Sequence, residues 1–262
     1  MSRIGKTFSA LKRLGRGGFI PFIVAGDPNL DATERFMVEL AAAGADIIEL
    51  GIPFSDPVAD GEVIQRASER ALHNSVSLRD ALELVACVRK QIDTPIVLFS
   101  YFNPLLQFGE DKLAIAAKRA GVDGVLVTDL IPEEAESWTK RLRDCDVDPI
   151  FLVAPTTSDQ RIVRIAAQAR GFVYVISRAG VTGARDSLTA DAAKLVERVR
   201  AVTNLPIAVG FGVSTSEQVN EVCHFADAAV VGSAIVGEIE KLNGAPDLVN
   251  RVGAFVRSLN PK

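Results

Sequence analysis

Glu49 interrupts the short apolar run Ile47–Leu50. Side chains alternate along a strand, so Ile47, Glu49 and Gly51 share one face while Ile48 and Leu50 share the other. With the aliphatic pair against covering helices, the Glu49 carboxyl enters an apolar interior. There its pKa is expected to rise, so that it could shuttle protons near neutral pH. The alternative at this position is an interior glutamate satisfied by hydrogen bonds. The loop that follows, Gly51-Ile-Pro-Phe-Ser-Asp-Pro-Val-Ala-Asp-Gly61, offers two more carboxylates. Asp56 precedes Pro57 and suits a turn. Asp60 precedes Gly61 and the helical run Glu62–Leu72, and suits an N-terminal helix cap. The loop alone does not choose between them.

A second kind of chemistry is suggested by glycines. Gly210-Phe211-Gly212 follows a seventh apolar run, and Gly232-Ser233 follows an eighth and begins a short helix. Backbone N–H groups at a helix N-terminus, approached through glycines, bind phosphate without Lys or Arg. Gly183, on a glycine-rich loop after the sixth run, could add another N–H. Each of these glycines also fits a plain turn, and the phosphate site is expected from their combination.

What is missing narrows the reaction. His73 and His224 both fall outside the segments just past a strand, so no histidine-held catalytic metal is expected. None of the lysines at 6, 12, 90, 112, 118, 140, 194, 241 and 262 stands at a strand's C-terminal end, which leaves a Schiff-base mechanism without a nucleophile. Cys87, Cys145 and Cys223 form no CxxC pair and read as buried packing residues. Acid–base chemistry by carboxylates on a phosphorylated substrate remains, and breaking a carbon–carbon bond would require the substrate to carry its own electron sink.

These residues must be positioned by a scaffold, and the apolar pattern supplies one. Ile20–Val24, Ile47–Leu50, Ile96–Phe99, Val125–Val127, Ile150–Val153, Phe172–Ile176, Ile207–Val209 and Ala228–Val231 are continuous apolar runs, as in parallel strands covered on their outer face by helices. Amphipathic stretches alternate with them: Thr33–Ala43, Leu78–Lys90, Lys112–Ala120, Ala190–Ala201 and Glu217–Cys223. The alternation predicts an α/β fold, a (βα)8 TIM barrel formed as a single domain over 1–262, with an open doubly wound sheet as the alternative. Gly15-Arg16-Gly17-Gly18 precedes the first strand and is a turn, not a dinucleotide cradle. Residues 2–14 read as an amphipathic helix that could close the barrel bottom. The longest intervals follow strands 2 and 6, and barrel sites form at the C-terminal ends of strands, so the long loops there mark the expected catalytic rim. Phe22 and Tyr174 share the inward phase of their strands, where they either wall a pocket or fill the barrel.

The chain has 262 residues and a formal net charge of -4, which suits one barrel and argues against nucleic-acid binding. The basic N-terminus and the run Phe19–Ala25 only superficially resemble a signal peptide, since Pro21 interrupts the run and no small-x-small site follows. No apolar segment approaches a membrane span, and scattered cysteines fit a reducing cytoplasm.

Ile48-Glu-Leu-Gly-Ile-Pro-Phe-Ser-Asp-Pro-Val-Ala-Asp-Gly61 resembles the signature of the tryptophan synthase alpha subunit family. The similarity extends to Ile20-Pro-Phe-Ile-Val-Ala-Gly-Asp-Pro28, Tyr101-Phe-Asn-Pro104, Ser177-Arg-Ala-Gly-Val-Thr-Gly183 and Val209-Gly-Phe-Gly-Val213, nearly the whole chain. Glu62 and Thr128 stand where the family often has Pro. The resemblance implies reversible cleavage of indole-3-glycerol phosphate to indole and glyceraldehyde 3-phosphate, with the indole ring as electron sink. It implies Glu49 as acid and base, and it selects Asp60 over Asp56 as the group facing the indole N–H. It implies substrate contacts from Phe22, Tyr174, Thr182, Gly183, Gly212, Gly232 and Ser233, with Thr182 within reach of Asp60 on a closing loop. No metal and no cofactor are expected in this chain. Pyridoxal phosphate is expected in a partner beta subunit, within an alpha2beta2 heterotetramer. Its contact rim would include Pro53–Pro57, Asn103-Pro104 and Asp129–Glu134, because an apolar Pro53-Phe54 loop is hard to explain in solvent. Other readings are an indole-glycerol phosphate synthase, which would want a lysine at a strand end, a sugar-phosphate isomerase, an idle binding subunit, and a stand-alone lyase.

Overall fold

The computed structural model describes residues 1–176, 185–210 and 212–260, without the side chains of 185–189. Eight parallel strands close into a barrel in chain order. They are β1 (Gly18–Val24), β2 (Ile48–Gly51), β3 (Ile96–Ser100), β4 (Gly124–Val127), β5 (Asp148–Val153), β6 (Val173–Ile176), β7 (Ile207–Gly210) and β8 (Ala228–Val231). The expected strands all form, with ends shifted by one or two residues, and β1 pairs with β8 to complete the ring. The helices are α1 (Arg3–Leu14), α2 (Leu30–Ala42), α3 (Glu62–His73), α4 (Leu78–Val88), α5 (Phe102–Phe108), α6 (Glu110–Ala120), α7 (Glu136–Asp144), α8 (Asp159–Gln168), α9 (Arg185–Arg200), α10 (Ser216–Phe225), α11 (Ser233–Leu242) and α12 (Leu248–Leu259). No helix among the described residues is long and apolar enough to cross a membrane.

Local chemistry starts the helices. Asn29, Ser158 and Thr215 each accept a first-turn N–H, and Ser77 with Asp80 forms a reciprocal capping box on α4. Among the helices that begin without a side-chain cap at the barrel mouth are α3, which begins after Gly61, and α11, which begins after Gly232. The interval after β2 is long because it holds both α3 and α4, and the loop after β6 lies outside the described residues.

The bottom of the barrel is closed as expected. Ile4, Phe8 and Leu11 of α1 are buried, and Phe8 lies 5.8 Å from Phe172, ring centre to ring centre. A repeated polar device fixes the strands just above this plug. Asp46 accepts from the Phe19 N–H at 2.9 Å while its own N–H donates back to the Phe19 carbonyl. Asp123 with Ile96, and Asp227 with Ile207, make the same reciprocal pair. Each carboxylate also meets arginine: Arg16 on Asp46, Arg3 and Arg89 on Asp123, and Arg200 on Asp227. A strand-end N–H that faces the interior is thereby satisfied by a charged acceptor, which is stronger than a neutral one.

Asp123 is nearly buried and Asp227 is much more exposed, so the two clasps should differ in weight. Asp123→Ala strands the Ile96 N–H and a half-buried Arg89, and is expected to lower unfolding free energy by about 3 kcal/mol. Asp227→Ala is expected to cost about 1 kcal/mol, because solvent can replace the carboxylate. Urea unfolding of the two variants checks this, and equal losses would contradict it.

Candidate active site

Strand phase carries a ring of side chains into the barrel mouth. Phe22 on β1 stands directly opposite Glu49 on β2, and Glu49 opposite Val97 on β3, so all three face inward. The same phase takes Phe99 on β3, Tyr174 on β6 and Val230 on β8 inside. Phe22, Glu49, Phe99, Tyr174 and Val230 line one cavity together with Asp60, Gly61, Ile64, Gly212, Gly232 and Ser233. Glu49 is fully buried. Neither of its carboxyl oxygens has a hydrogen-bond partner among the described residues, so the alternative of an interior glutamate satisfied by hydrogen bonds does not hold. Loss of hydration lifts its pKa from the ordinary 4.5 to about 8, which leaves it mostly protonated at neutral pH.

The aromatic wall depends on two glycines in neighbouring strands. Phe99 lies 5.3 Å from Phe22 and 6.4 Å from Tyr174, linking the three rings edge to face. A Cβ on Gly51 would come 2.6 Å from Phe22, and one on Gly210 would come 2.1 Å from the Tyr174 hydroxyl. Gly210 thus makes room for Tyr174, a constraint its Gly-Phe-Gly setting does not announce. Burial beside Glu49 and Asp60 pushes the Tyr174 hydroxyl well above its ordinary pKa, so it stays protonated. Phe99 and Val230 escaped the sequence reading, although the alternation applied to β1 and β2 would have found both.

The tie between the two loop aspartates is broken by contacts from another loop. Asp56 is exposed and accepts a hydrogen bond from Ser55, outside the cavity. Asp60 is part-buried at the cavity wall, and the cap of α3 is Gly61, so Asp60 does not serve as a helix cap. Desolvation raises Asp60 to about 6, opposed by a hydrogen bond with the Tyr101 hydroxyl. That hydroxyl also accepts the Ala59 N–H at 2.9 Å, which pins the loop from the start of α5. Phe54 packs on the Tyr101 ring at 5.2 Å and Pro53 is buried, so this apolar pair needs no partner to explain it. The exposed apolar residues near the rim are instead Val58, Leu106 and Ile131. Thr128 donates its N–H to the Ser100 carbonyl, a bond that the family's frequent proline could not make.

Opposite the carboxylates, Gly232 and Ser233 open α11 with no side-chain cap, which leaves first-turn N–H groups available to an anion. Gly212 beside them adopts φ +85, a conformation glycine takes without strain. Thr182 and Gly183 lie outside the described residues. No group of three or more His, Cys, Asp or Glu that could hold a metal is found among the described residues. His73 ends α3 and His224 lies in α10, away from the cavity. The packing reading holds in part: Cys145 and Cys223 are half-buried against the core near helix ends, whereas Cys87 on α4 is exposed. The cavity therefore joins a buried acid, a second carboxylate that is ionised at neutral pH, an aromatic wall and an anion pole.

A family model described as tryptophan synthase alpha chain matches residues 8–261. Among curated relatives, the tryptophan synthase alpha chain of Citrifermentans bemidjiense is 48% identical over 99% of this chain and 97% of its own. That of Thiobacillus denitrificans is 51% identical over 99% and 93%. The crystal structure of tryptophan synthase subunit alpha from Legionella pneumophila superposes with a TM-score of 0.90 at 39% identity, covering 99% and 97% of the two chains.

The isolated Glu49 carboxyl makes stability depend on pH. Between pH 4.5 and about 8 the folded protein keeps a proton that the unfolded chain has released. Stability therefore falls as pH rises through this window and levels off above it. Glu49→Gln has no charge to bury, so it is expected to melt about 5 °C above the wild type near pH 9 and close to it near pH 4. Thermal melts across this range check the assignment, and a difference that does not change with pH would contradict it.

Proposed function

The chain belongs to the tryptophan synthase alpha chain family and takes the alpha-subunit role in tryptophan biosynthesis, and we propose that its barrel mouth cleaves indole-3-glycerol phosphate reversibly to indole and glyceraldehyde 3-phosphate. The observation that carries this reading is the fully buried Glu49 carboxyl, without a hydrogen-bond partner among the described residues, in the same cavity as Asp60; burial pushes both carboxyls up, Glu49 further than Asp60. Two carboxyl groups driven to different pKa values suit an acid and an anionic stabiliser in one site.

The indole ring lies against Phe22, Phe99 and Tyr174 with its N–H toward Asp60, and the phosphate meets the N-terminus of α11 at Gly232 and Ser233, with Gly212 beside it. The family resemblance adds Thr182 and Gly183, which lie outside the described residues, as further substrate contacts. Glu49 delivers its proton to indole C3, which puts positive charge on N1, and Asp60 stabilises that charge. The Glu49 carboxylate then accepts the proton of the glycerol hydroxyl on the carbon attached to C3. As that hydroxyl becomes the aldehyde carbonyl, the carbon–carbon bond breaks and its electron pair returns to the ring, restoring neutral indole. The proton count closes on Glu49 itself. Each positioned proton transfer is worth about 10²–10⁴-fold, and Asp60 acts with greater effect where water is excluded.

The alpha-chain name implies a beta-subunit partner, here one that carries pyridoxal phosphate, receives the indole and assembles with this chain as an alpha2beta2 heterotetramer. Exposed Val58, Leu106 and Ile131, on the loop after β2, on α5 and on the loop after β4, support a docking rim around the mouth. The span 1–262 acts as one domain, and a cytoplasmic location agrees with three free cysteines.

Cleavage of indole-3-glycerol phosphate, assayed with and without a beta subunit, is the direct test, and no turnover in either case would sink the reaction. With Glu49 needed protonated and Asp60 ionised, kcat/KM is expected to be bell-shaped, with limbs near pH 6 and pH 8. A flat profile across that interval would argue against the pair. Glu49→Gln and Asp60→Asn should each lower cleavage by about 10²–10⁴-fold while glycerol 3-phosphate still binds. Near-normal turnover in either variant would remove that residue from its role.

A further inference from the structure

Three elements contribute to the cavity around Asp60 and the start of α11. β1 contributes Phe22, α3 opens with Gly61 beside Asp60 and adds Ile64, and α11 opens with Gly232 and Ser233. Behind the cavity the same three elements are tied by one ion network. Arg70 on α3 sets Nε and Nη2 on the two carboxylate oxygens of Asp27, just past β1, at 2.7 and 2.9 Å. Its Nη1 reaches Glu240 on α11 at 2.8 Å. Arg66, one turn earlier on α3, forks onto the same Glu240 at 2.8 and 2.9 Å.

Each of the three guanidinium nitrogens of Arg70 thus donates to one of two carboxylates on different elements. Asp27 is 2% exposed, so without Arg70 it becomes a buried charge with no counter-ion. Burial pushes the Asp27 carboxyl up while Arg70 holds it down, and the two guanidinium groups draw Glu240 to about 2. A planar fork fixes direction as well as distance, which a lysine in the same place does not.

We propose that Arg70 is a positioning residue that sets the spacing between the carboxylate pole and the anion pole by locking α3, α11 and the end of β1 together. The role rests on the proposed cleavage reaction. A molecule carrying ring and phosphate at once must match that spacing, whereas a ligand filling a single pole need not. Displacing reacting groups by about 1 Å costs on the order of 10²-fold in rate.

The test is Arg70→Lys in the full chain. Its kcat/KM for indole-3-glycerol phosphate is expected to fall ~10–100-fold, while the inhibition constants of indole and of glycerol 3-phosphate, each a one-pole ligand, stay within about threefold of wild type. Wild-type kcat/KM, or a parallel loss of all three parameters, overturns the proposal. Should Arg70→Lys not fold, Glu240→Gln, whose side chain is partly exposed, decides by the same comparison. Absence of cleavage by the wild type would overturn the reaction and this role with it, whereas a cleaving wild type with an unaltered variant overturns the positioning role alone.

Discussion

Burying the Glu49 carboxyl with neither oxygen hydrogen-bonded among the described residues costs about 1–3 kcal/mol even when it is neutral, and more when it is ionised. The surrounding sequence accommodates this by setting mostly aromatic, aliphatic and glycine residues around the group. Phe22, Phe99, Tyr174 and Val230 exclude water from the group, and Gly51 and Gly210 exist at positions where any side chain would push those rings aside. The same exclusion of water that destabilises the charged form stores an acid at neutral pH. Reactivity and local instability are one property of this site seen from two sides.

The opposite end of the barrel is arranged by the reverse rule. Asp46, Asp123 and Asp227 sit just before β2, β4 and β8, and each closes a reciprocal backbone and carboxylate pair with the start of the preceding strand. Arginines complete their coordination, and the apolar side chains of α1 seal the space between them. The polar groups of these clasps are satisfied inside the protein, whereas the Glu49 oxygens at the mouth find no partner among the described residues. That asymmetry lets the frame tolerate an unsatisfied acid, since β2, which aims Glu49, is held at its far end by Asp46.

Much of this was legible in the sequence, and the limits are physical. Glu49 could be read as inward-facing because alternation is a property of the strand itself, and the eight apolar runs announced the barrel for the same reason. Phe99 and Val230 obey that alternation too and were missed only because it was not applied to their strands. Asp60 was different. Its advantage over Asp56 comes from Tyr101, which reaches the loop from the start of α5, and no pattern local to the loop contains that contact. Gly210 carries a constraint that a glycine after a strand does not announce, since a ring on the neighbouring strand fills the space a side chain would take. The Asp–Arg clasps recur as an aspartate just ahead of an apolar run, yet their meaning depends on which strand lies beside them. Periodicity reveals direction along one element, but not what the adjacent element brings.

The uncapped starts of α3 and α11 sharpen what the mouth lacks. Whereas α2, α8 and α10 recruit Asn, Ser and Thr for their first N–H groups, the glycine starts of α3 and α11 carry no side-chain cap and both lie at this cavity. Together with the bare Glu49 carboxyl they leave hydrogen-bonding capacity unfilled at both poles. A ligand with a ring at one end and an anion at the other supplies what both ends lack. Its binding then stabilises the folded chain by mass action, most strongly where the protein by itself is least satisfied. Such a ligand bridges α3 and α11 from the front, as Arg66, Arg70 and Glu240 bridge them from behind. The two helices are thereby clamped on both sides only when the site is filled, and the geometry that reaction requires coincides with the most stable state of the mouth.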